Sequence, residues 1–240
     1  MRRLATQISH EVRQVLRNGE QLLLVLGIPI LLLVFFTTVD VLPTTTDDPI
    51  DFLAPGIVAL AVMSTAMVSL GIATGFERAY HVLKRLAATP LGRPRLVAAK
   101  AVAVGVVELV QFVVIIAVAV ALGWSPGSVD WPAAIGAVLL GTLAFAGLGL
   151  TLAGRLRAEV NLAAQNGLYL VLLLLGGMLV PIDELPASLA DVARVLPSGA
   201  LADVLHGALG PAAAPDLSWV VLAAWALVAP AVAAATFRWD

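Results

Sequence analysis

One acidic side chain lies deep inside a long apolar stretch of the chain. Glu108 falls within the apolar residues 96–122, and Gln111 follows it about one helical turn later. A bare carboxylate at membrane depth is costly, so Glu108 must be protonated, be paired with a basic group or line a polar path. A role in translocation and a structural hydrogen bond between helices both meet that requirement. The sequence leaves these two interpretations open.

Two further polar residues are candidates for the same path. Ser69 lies in the second long apolar stretch, and Asn166 lies near the start of the fifth. With Glu108 and Gln111 they form the predicted translocation path. Hydroxyl and amide groups in apolar helices more often make helix-packing contacts than bind ligands, and this is the alternative for each of them.

Recognised catalytic and metal-binding patterns are missing from the sequence. Neither lysine, Lys84 or Lys100, follows a glycine as the phosphate-binding loop of ATPases requires. His10 and Glu11 begin a metalloprotease pattern, but Gln14 stands where the second histidine belongs. The chain has 0 Cys and 3 His, and the histidines are far apart. We therefore predict no catalytic residue, no metal site and no cofactor bound by this chain.

The composition predicts an all-α polytopic membrane protein. Of the 240 residues, 60% are hydrophobic and 12% charged, and the mean hydropathy is +0.99. A spanning helix needs about 20 apolar residues. Alternating strands of a barrel are not seen, and helices satisfy the backbone within the bilayer. Six stretches qualify as transmembrane helices in one domain over residues 1–240: 22–39, 53–76, 96–122, 131–153, 162–180 and 217–237.

Basic residues predict the orientation of these spans. Thirteen of the 14 Lys and Arg residues fall on one side of the predicted spans: before the first span, in residues 77–100 with Lys100 at the start of the third span, between the fourth and fifth, or after the sixth. The positive-inside rule makes that side cytoplasmic, together with both termini. Residues 1–20 place Leu4, Ile8, Val12 and Val15 at helical spacing, which predicts an amphipathic helix on the membrane surface, or a soluble helix packed on a neighbour.

The connection between the second and third spans is polar and basic. Residues 77–100 contain six of the Lys and Arg residues, and Glu77 to Ala88 lacks glycine and proline. That pattern predicts a short helix, which Thr89, Pro90, Gly92 and Pro94 end. Such a helix could be the docking site of a partner protein. A loop whose charges only hold it on the cytoplasmic side would have the same composition.

The connection after the fifth span, residues 181–211, is too apolar for a plain loop. Leu185, Leu189, Val192 and Leu196 recur at helical spacing, with Pro186 suited to a first turn and Pro197 ending the helix. Ser198 is predicted to cap a second short helix. Two amphipathic helices at the outer leaflet, re-entrant or interfacial, fit this pattern.

Two motifs resemble those of the permease subunits of type-2 ABC exporters. Glu77-Arg78, Leu83-Lys84-Arg85-Leu86 and Ala88-Thr89-Pro90 resemble the family's signature after the second span. Gly177, Pro181, Leu185-Pro186 and Leu196-Pro197 are similar to its outer segment. The layout of an amphipathic helix followed by six spans also fits, so the resemblance covers nearly the whole chain. Tyr80 and His81 depart from it, because many relatives have a glycine after the acidic-basic pair.

The resemblance implies a function and partners. Residues 77–95 would contain a coupling helix that docks on a separate ATPase subunit, and the N-terminal helix would make a second contact. ATP and Mg would bind to that ATPase, not to this chain. A second permease chain, identical or related, would complete the path in the cell membrane, and no nucleic acid is involved. The implied coupling residues are Glu77, Arg78, Leu83, Lys84, Arg85, Leu86, Thr89, Pro90, Arg13 and Arg17; the implied outer gate is Gly177, Pro181, Pro186 and Pro197.

Other classes of membrane protein remain as alternatives. A stand-alone secondary transporter or channel would usually show inverted repeats or interrupted spans. An intramembrane enzyme would need a second catalytic group beside Glu108, and a scaffold would not need a basic docking helix. The sequence identifies no cargo.

Overall fold

The computed structural model describes residues 19–39, 48–83, 92–210 and 213–238, and these are helical with no strand among them. The helices follow the apolar runs of the sequence, because a backbone surrounded by hydrocarbon must satisfy its own hydrogen bonds. They are α1 (Gly19–Thr38), α2 (Pro49–Met63), a π-helical turn (Ser64–Ser69), α3 (Leu70–Ala79), α4 (Gly92–Ala121), α5 (Trp131–Ala153), α6 (Ala158–Leu175), a 3-10 turn (Ile182–Glu184), α7 (Ala187–Val195), α8 (Pro197–Leu209) and α9 (Asp216–Thr236).

Five helices in the described part of the chain are long and apolar enough to cross a membrane. They are Pro49–Ala79, Lys100–Ala121, Trp131–Ala153, Ala158–Leu175 and Asp216–Thr236, which correspond to the second through sixth predicted spans. The first predicted span overlaps α1 up to Thr38, and Val25–Thr38 forms a shorter apolar helix there. The count of six spans therefore stays a prediction, as does the amphipathic helix of residues 1–20, which falls almost wholly outside the described residues.

The second span is the centre of the bundle. It runs without interruption through α2, the π-helical turn and α3, and all but three residues of α2 are buried. π-Helical turns are rare and occur often at functional sites. Around this span pack α1, α4, α5, α6 and α8. A helix buried on all sides has no polar face, and α2 is accordingly apolar apart from Asp51 in its first turn.

Small residues allow the helices to approach closely. A Cβ atom on Gly149 of α5 would stand 2.5 Å from the Met67 carbonyl oxygen in the π-helical turn. A Cβ atom on Gly147 would stand 2.4 Å from the backbone of Ala229 in α9, the helix against which α5 packs most extensively. Close packing of this kind holds helices together in a bilayer, where the hydrophobic effect between helices is absent.

The basic insert differs from the predicted helix of Glu77 to Ala88. Residues 77–79 form the end of α3, and a turn at Tyr80 and His81 follows, with His81 at φ 58°. Where the preceding segment ends lies outside the described residues, but the chain does not stay non-helical through Pro94, because α4 begins at Gly92 and carries Pro94 in its first turn. Proline is tolerated in a first turn, since no intrahelical partner exists for its missing N–H.

The outer segment differs from its prediction in α8. This helix begins at Pro197 with Leu196 as its N-cap, and the predicted cap Ser198 has its hydroxyl buried without a hydrogen-bond partner. Ten residues of α8 are buried, because it packs between α2, α5 and α9. This burial argues against the interfacial alternative for α8, and the re-entrant alternative stays a prediction. In contrast, α7 exposes Leu189, Val192 and Val195, as an interfacial helix would.

Candidate functional site

Side-chain contacts join the end of α3 to α4 and to the connection that follows α5. Lys100 of α4 lies 2.7 Å from both carboxylate oxygens of Glu77. Arg78 donates one hydrogen bond of 3.1 Å to the Gly154 carbonyl and another to the Leu156 carbonyl. Both carbonyls belong to the connection that follows α5, where a helix end leaves oxygens without intrahelical donors. We call the end of the bundle that holds Arg78, Arg155, Arg157 and Arg238 the basic end.

These contacts change the interpretation of two predicted coupling residues. Glu77 and Arg78 face the bundle, and Leu83 is only 2% exposed. Tyr80, by contrast, is 67% exposed and His81 is exposed too, so the turn that departs from the family pattern forms the surface here. The remaining predicted coupling residues lie outside the described part of the chain: Lys84, Arg85, Leu86, Thr89, Pro90, Arg13 and Arg17.

At membrane depth, Glu108 and Gln111 join four helices by hydrogen bonds. The Thr142 hydroxyl of α5 lies 2.6 Å from Glu108 Oε2. Gln111 accepts a hydrogen bond of 2.8 Å from Thr65 in the π-helical turn and donates one of 2.9 Å to the Val25 carbonyl of α1. Glu108 and Gln111 are 5% and 1% exposed, respectively. The predicted pair therefore lies in the bundle interior.

The other two predicted path residues are not part of this cluster. Ser69 ends the π-helical turn and is half-buried, whereas Asn166 is exposed on α6, where its amide donates to the Leu162 carbonyl. Two other polar residues of α6 are buried instead. Asn161 donates a hydrogen bond of 3.0 Å to the Gly71 carbonyl, and Gln165 donates one of 2.9 Å to the Gly149 carbonyl. They pack the fifth span onto the second and fourth.

At the opposite end, the predicted gate residues shape the turns of the outer segment. Gly177 has φ 63°, and a side chain there would also meet Ile182 at 2.7 Å. Pro181 precedes the 3-10 turn, Pro186 is the N-cap of α7, and Pro197 is in the first turn of α8. Each fixed proline φ suits the start of a helical segment.

No sequence pattern pointed to the residues that hold α8 in place. His206 has its two ring nitrogens 2.7 Å from the Ala202 carbonyl and 2.9 Å from the Phe52 carbonyl of α2, and its ring stacks on that of Phe52 at 4.5 Å. Burial lowers the pKa of His206, although the two carbonyls and Asp203 oppose this. The Ser218 hydroxyl of α9 donates 2.9 Å to Asp203, whose pKa burial raises.

Among the described residues no group of His, Asp and Glu is arranged to hold a metal ion. The candidate site has three parts: the basic end with the contacts of Glu77 and Arg78, the polar cluster of Glu108 and Gln111, and the outer segment that His206 joins to α2. The second span passes through all three.

Comparison with known proteins identifies a family and a relative. A family model described as ABC-2 type transporter matches residues 3–208. The protein named "Putative transport permease YvfS" from Bacillus subtilis (strain 168) is 30% identical over 202 residues, which is 81% of this chain and 80% of that protein.

Proposed function

The chain belongs to the ABC-2 type transporter family, and we propose that it is the membrane-spanning subunit of an ABC exporter. It moves a substrate out of the cytoplasm, driven by ATP and Mg bound to a separate ATPase subunit. The observation that carries this proposal is the basic insert after the second span, fastened at Glu77 and Arg78 to the third span and to the end of the fourth. A stand-alone transporter has no need for such an insert.

The insert divides into residues that dock and residues that transmit. Lys84, Arg85 and Leu86 dock on the ATPase, with Arg13 and Arg17 of the N-terminal helix as a second contact. Glu77 and Arg78 are positioning residues, because their charged groups are already engaged with the bundle. A displacement of the docked segment is thereby passed to α4 and to the connection after α5.

The exposed Asn166 supports a second permease chain. It is a polar side chain on the surface of a span of which only 22% is buried in the single chain. Polar side chains within a bilayer are costly when they face lipid, and they usually face protein or a wet cavity. We place the second chain, identical or related, and the export path against this face, with Ser69 and Asn166 beside the path.

The outer segment acts as the gate of this path. Gly177, Pro181, Pro186 and Pro197 define its turns, and α8 closes the outer end of the bundle between α2, α5 and α9. ATP binding moves the basic end, and the second span carries that movement to α8 through the Phe52–His206 contact.

Co-purification with an ATPase tests the proposal. The tagged wild-type chain, isolated from its native membrane, is expected to bring down an ATPase, and Arg85→Glu to lose it. Arg157→Glu is the matched control, because Arg157 is exposed at the same end of the bundle outside the insert. Arg78→Ala is expected to retain the ATPase but to lose substrate transport. If the folded wild type brings down no ATPase, the exporter proposal fails and a secondary transporter or channel becomes the better explanation.

Orientation has its own test, for which the absence of Cys provides a clean background. The proposal places both termini and the basic end in the cytoplasm of a cell-membrane protein. A single cysteine at Arg155 is expected to resist a membrane-impermeant thiol reagent in intact cells, and one at Asp183 to react. If the cysteine at Arg155 reacted and the one at Asp183 did not, the basic end would lie outside the cell and the proposed direction of export would be wrong.

A further inference from the structure

Three exposed arginines lie at one place on the basic end, and we call them the arginine patch. Arg155 and Arg157 belong to the connection between α5 and α6, and Arg238 follows the end of α9. The backbone N–H of Arg238 donates a hydrogen bond of 3.2 Å to the Gly154 carbonyl. The ring of Phe237 packs so closely on Gly154 that a Cβ atom there would stand 2.6 Å from it. Two segments that are distant in the sequence are thereby held side by side.

The guanidinium groups of the patch are not neutralised by the described part of the chain. There they make no ion pair and no side-chain hydrogen bond. Glu159 is close in the sequence and exposed, but it forms no ion pair with them. The nearby carbonyls of Gly154 and Leu156 already accept hydrogen bonds from Arg78. The patch therefore presents positive charge that needs an anion from outside the chain.

The patch lies where three spans end. α5 ends at Ala153, α6 begins at Ala158 and α9 ends at Thr236, and all three helices are long and apolar enough to cross a membrane. A connection as short as residues 154–157 keeps its side chains close to the ends of the spans. Long arginine side chains at such positions place their charge at the level of the lipid headgroups.

An exposed arginine at the opposite end of the bundle is in a different state. Arg194 of α7 forms ion pairs with Asp183 at 3.0 Å and with Asp191 at 3.4 Å. Its charge is therefore compensated within the chain. Exposure alone does not leave an arginine without an anion in this protein, so the uncompensated charge is a property of the patch.

We propose that the arginine patch binds the phosphate group of an anionic phospholipid. The planar guanidinium group matches phosphate oxygens with two parallel hydrogen bonds, and basic sites between spans bind anionic headgroups. In the turns of α9 before Arg238, Val228 and Val232 are exposed and offer apolar surface to an acyl chain. The positive-inside rule requires basic residues on one side of the membrane, but it does not require two distant segments to bring them together. This binding does not depend on the exporter function.

Native mass spectrometry of the purified chain in detergent tests the proposal. The chain is mixed with equal amounts of phosphatidylglycerol, which is anionic, and phosphatidylcholine, whose phosphate is balanced by choline. We expect the wild type to retain phosphatidylglycerol in preference. An arginine near an anionic surface strengthens binding about fivefold, so replacing all three by Gln should weaken phosphatidylglycerol binding about 100-fold and remove the preference. Arg194→Gln is the matched control, because it removes the same charge from an ion-paired arginine and should keep the preference.

Three outcomes would overturn the proposal. The triple variant could keep the preference, Arg194→Gln could lose it equally, or soluble glycerol phosphate could displace phosphatidylglycerol at equal concentration, which would indicate a phosphate site that does not require a lipid. Arg155→Gln and Arg238→Gln, each expected to weaken binding about fivefold, carry the test if circular dichroism shows that the triple variant is unfolded. If the folded triple variant loses the ATPase but keeps the lipid, the patch is a docking surface for that protein instead. Failure of lipid binding leaves the wild-type ATPase co-purification unchanged, so the two proposals can fail separately.

Discussion

Replacing Arg78 separates a positioning residue from a docking residue. The guanidinium donates to two carbonyls at the end of the fourth span, and it is half-buried. A hydrogen bond that involves a charged group contributes about 1.5–3 kcal/mol. Water can reach this end of the bundle, so we take the lower part of that range and expect Arg78→Ala to lower the free energy of unfolding by about 2 kcal/mol. That is about a thirtyfold change in the unfolding equilibrium constant.

The assay is chemical unfolding of the detergent-purified chain, followed by the fluorescence of its 5 Trp residues and by circular dichroism. Arg78→Lys is expected to lose about half as much stability, because a single ammonium group replaces the two-donor fork. Arg157→Ala, at an exposed position of the same end, is expected to stay within about 0.5 kcal/mol of the wild type. The reasoning is refuted if Arg78→Ala unfolds like the wild type and yet loses the ATPase, since Arg78 would then be a docking residue.

Three further predictions concern packing, pH and charge. Gly149→Ala places a Cβ atom 2.5 Å from a backbone oxygen of the π-helical turn and is expected to lower the free energy of unfolding by about 1–3 kcal/mol. Gly167→Ala has open space around it and is expected to change that free energy by less than about 0.5 kcal/mol. Thermal unfolding compares the two variants. Burial lowers the pKa of His206 from 6.5, so below that pH the unfolded chain binds a proton that the folded chain does not. The unfolding free energy of the wild type should therefore fall on acidification below pH 6.5, and that of His206→Gln should fall less. Denaturant titrations at several pH values measure both. A double-mutant cycle with Glu77→Gln and Lys100→Met should give a coupling of about 1 kcal/mol in unfolding free energy, and a coupling near zero would remove the ion pair from the argument.

The second through sixth spans were predictable because their signal is local. Each apolar run is long enough to cross a bilayer, and the described helices follow those runs closely; residues 131–153 coincide with α5. The start of α4 was misplaced because Pro94 reads as a helix breaker, although it is compatible with a first turn. The sequence shows which residue types occur, but not which turn of a helix they occupy.

The partners of the candidate site were not predictable, because they are distant in the sequence. Glu108 was identified as a buried polar residue, but its contact Thr142 is 34 residues away. Nothing in the sequence pattern around His206 indicated its contact with Phe52, which is 154 residues away. Arg78 matched a motif, yet the motif does not show whether a charge faces a partner protein or the carbonyls of its own chain. Pairings of this kind depend on the packing of helices, which one sequence alone does not specify.

The π-helical turn of the second span has a consequence for comparing relatives. A π-helical turn holds one residue more than the α-helical turn it replaces, and in an α-helix one residue corresponds to a rotation of about 100°. Residues on the two sides of Ser64–Ser69 therefore follow different helical phases. A relative whose second span is a plain α-helix would lack one residue here. Its alignment with this chain would need a gap in the middle of a membrane span, not in a loop.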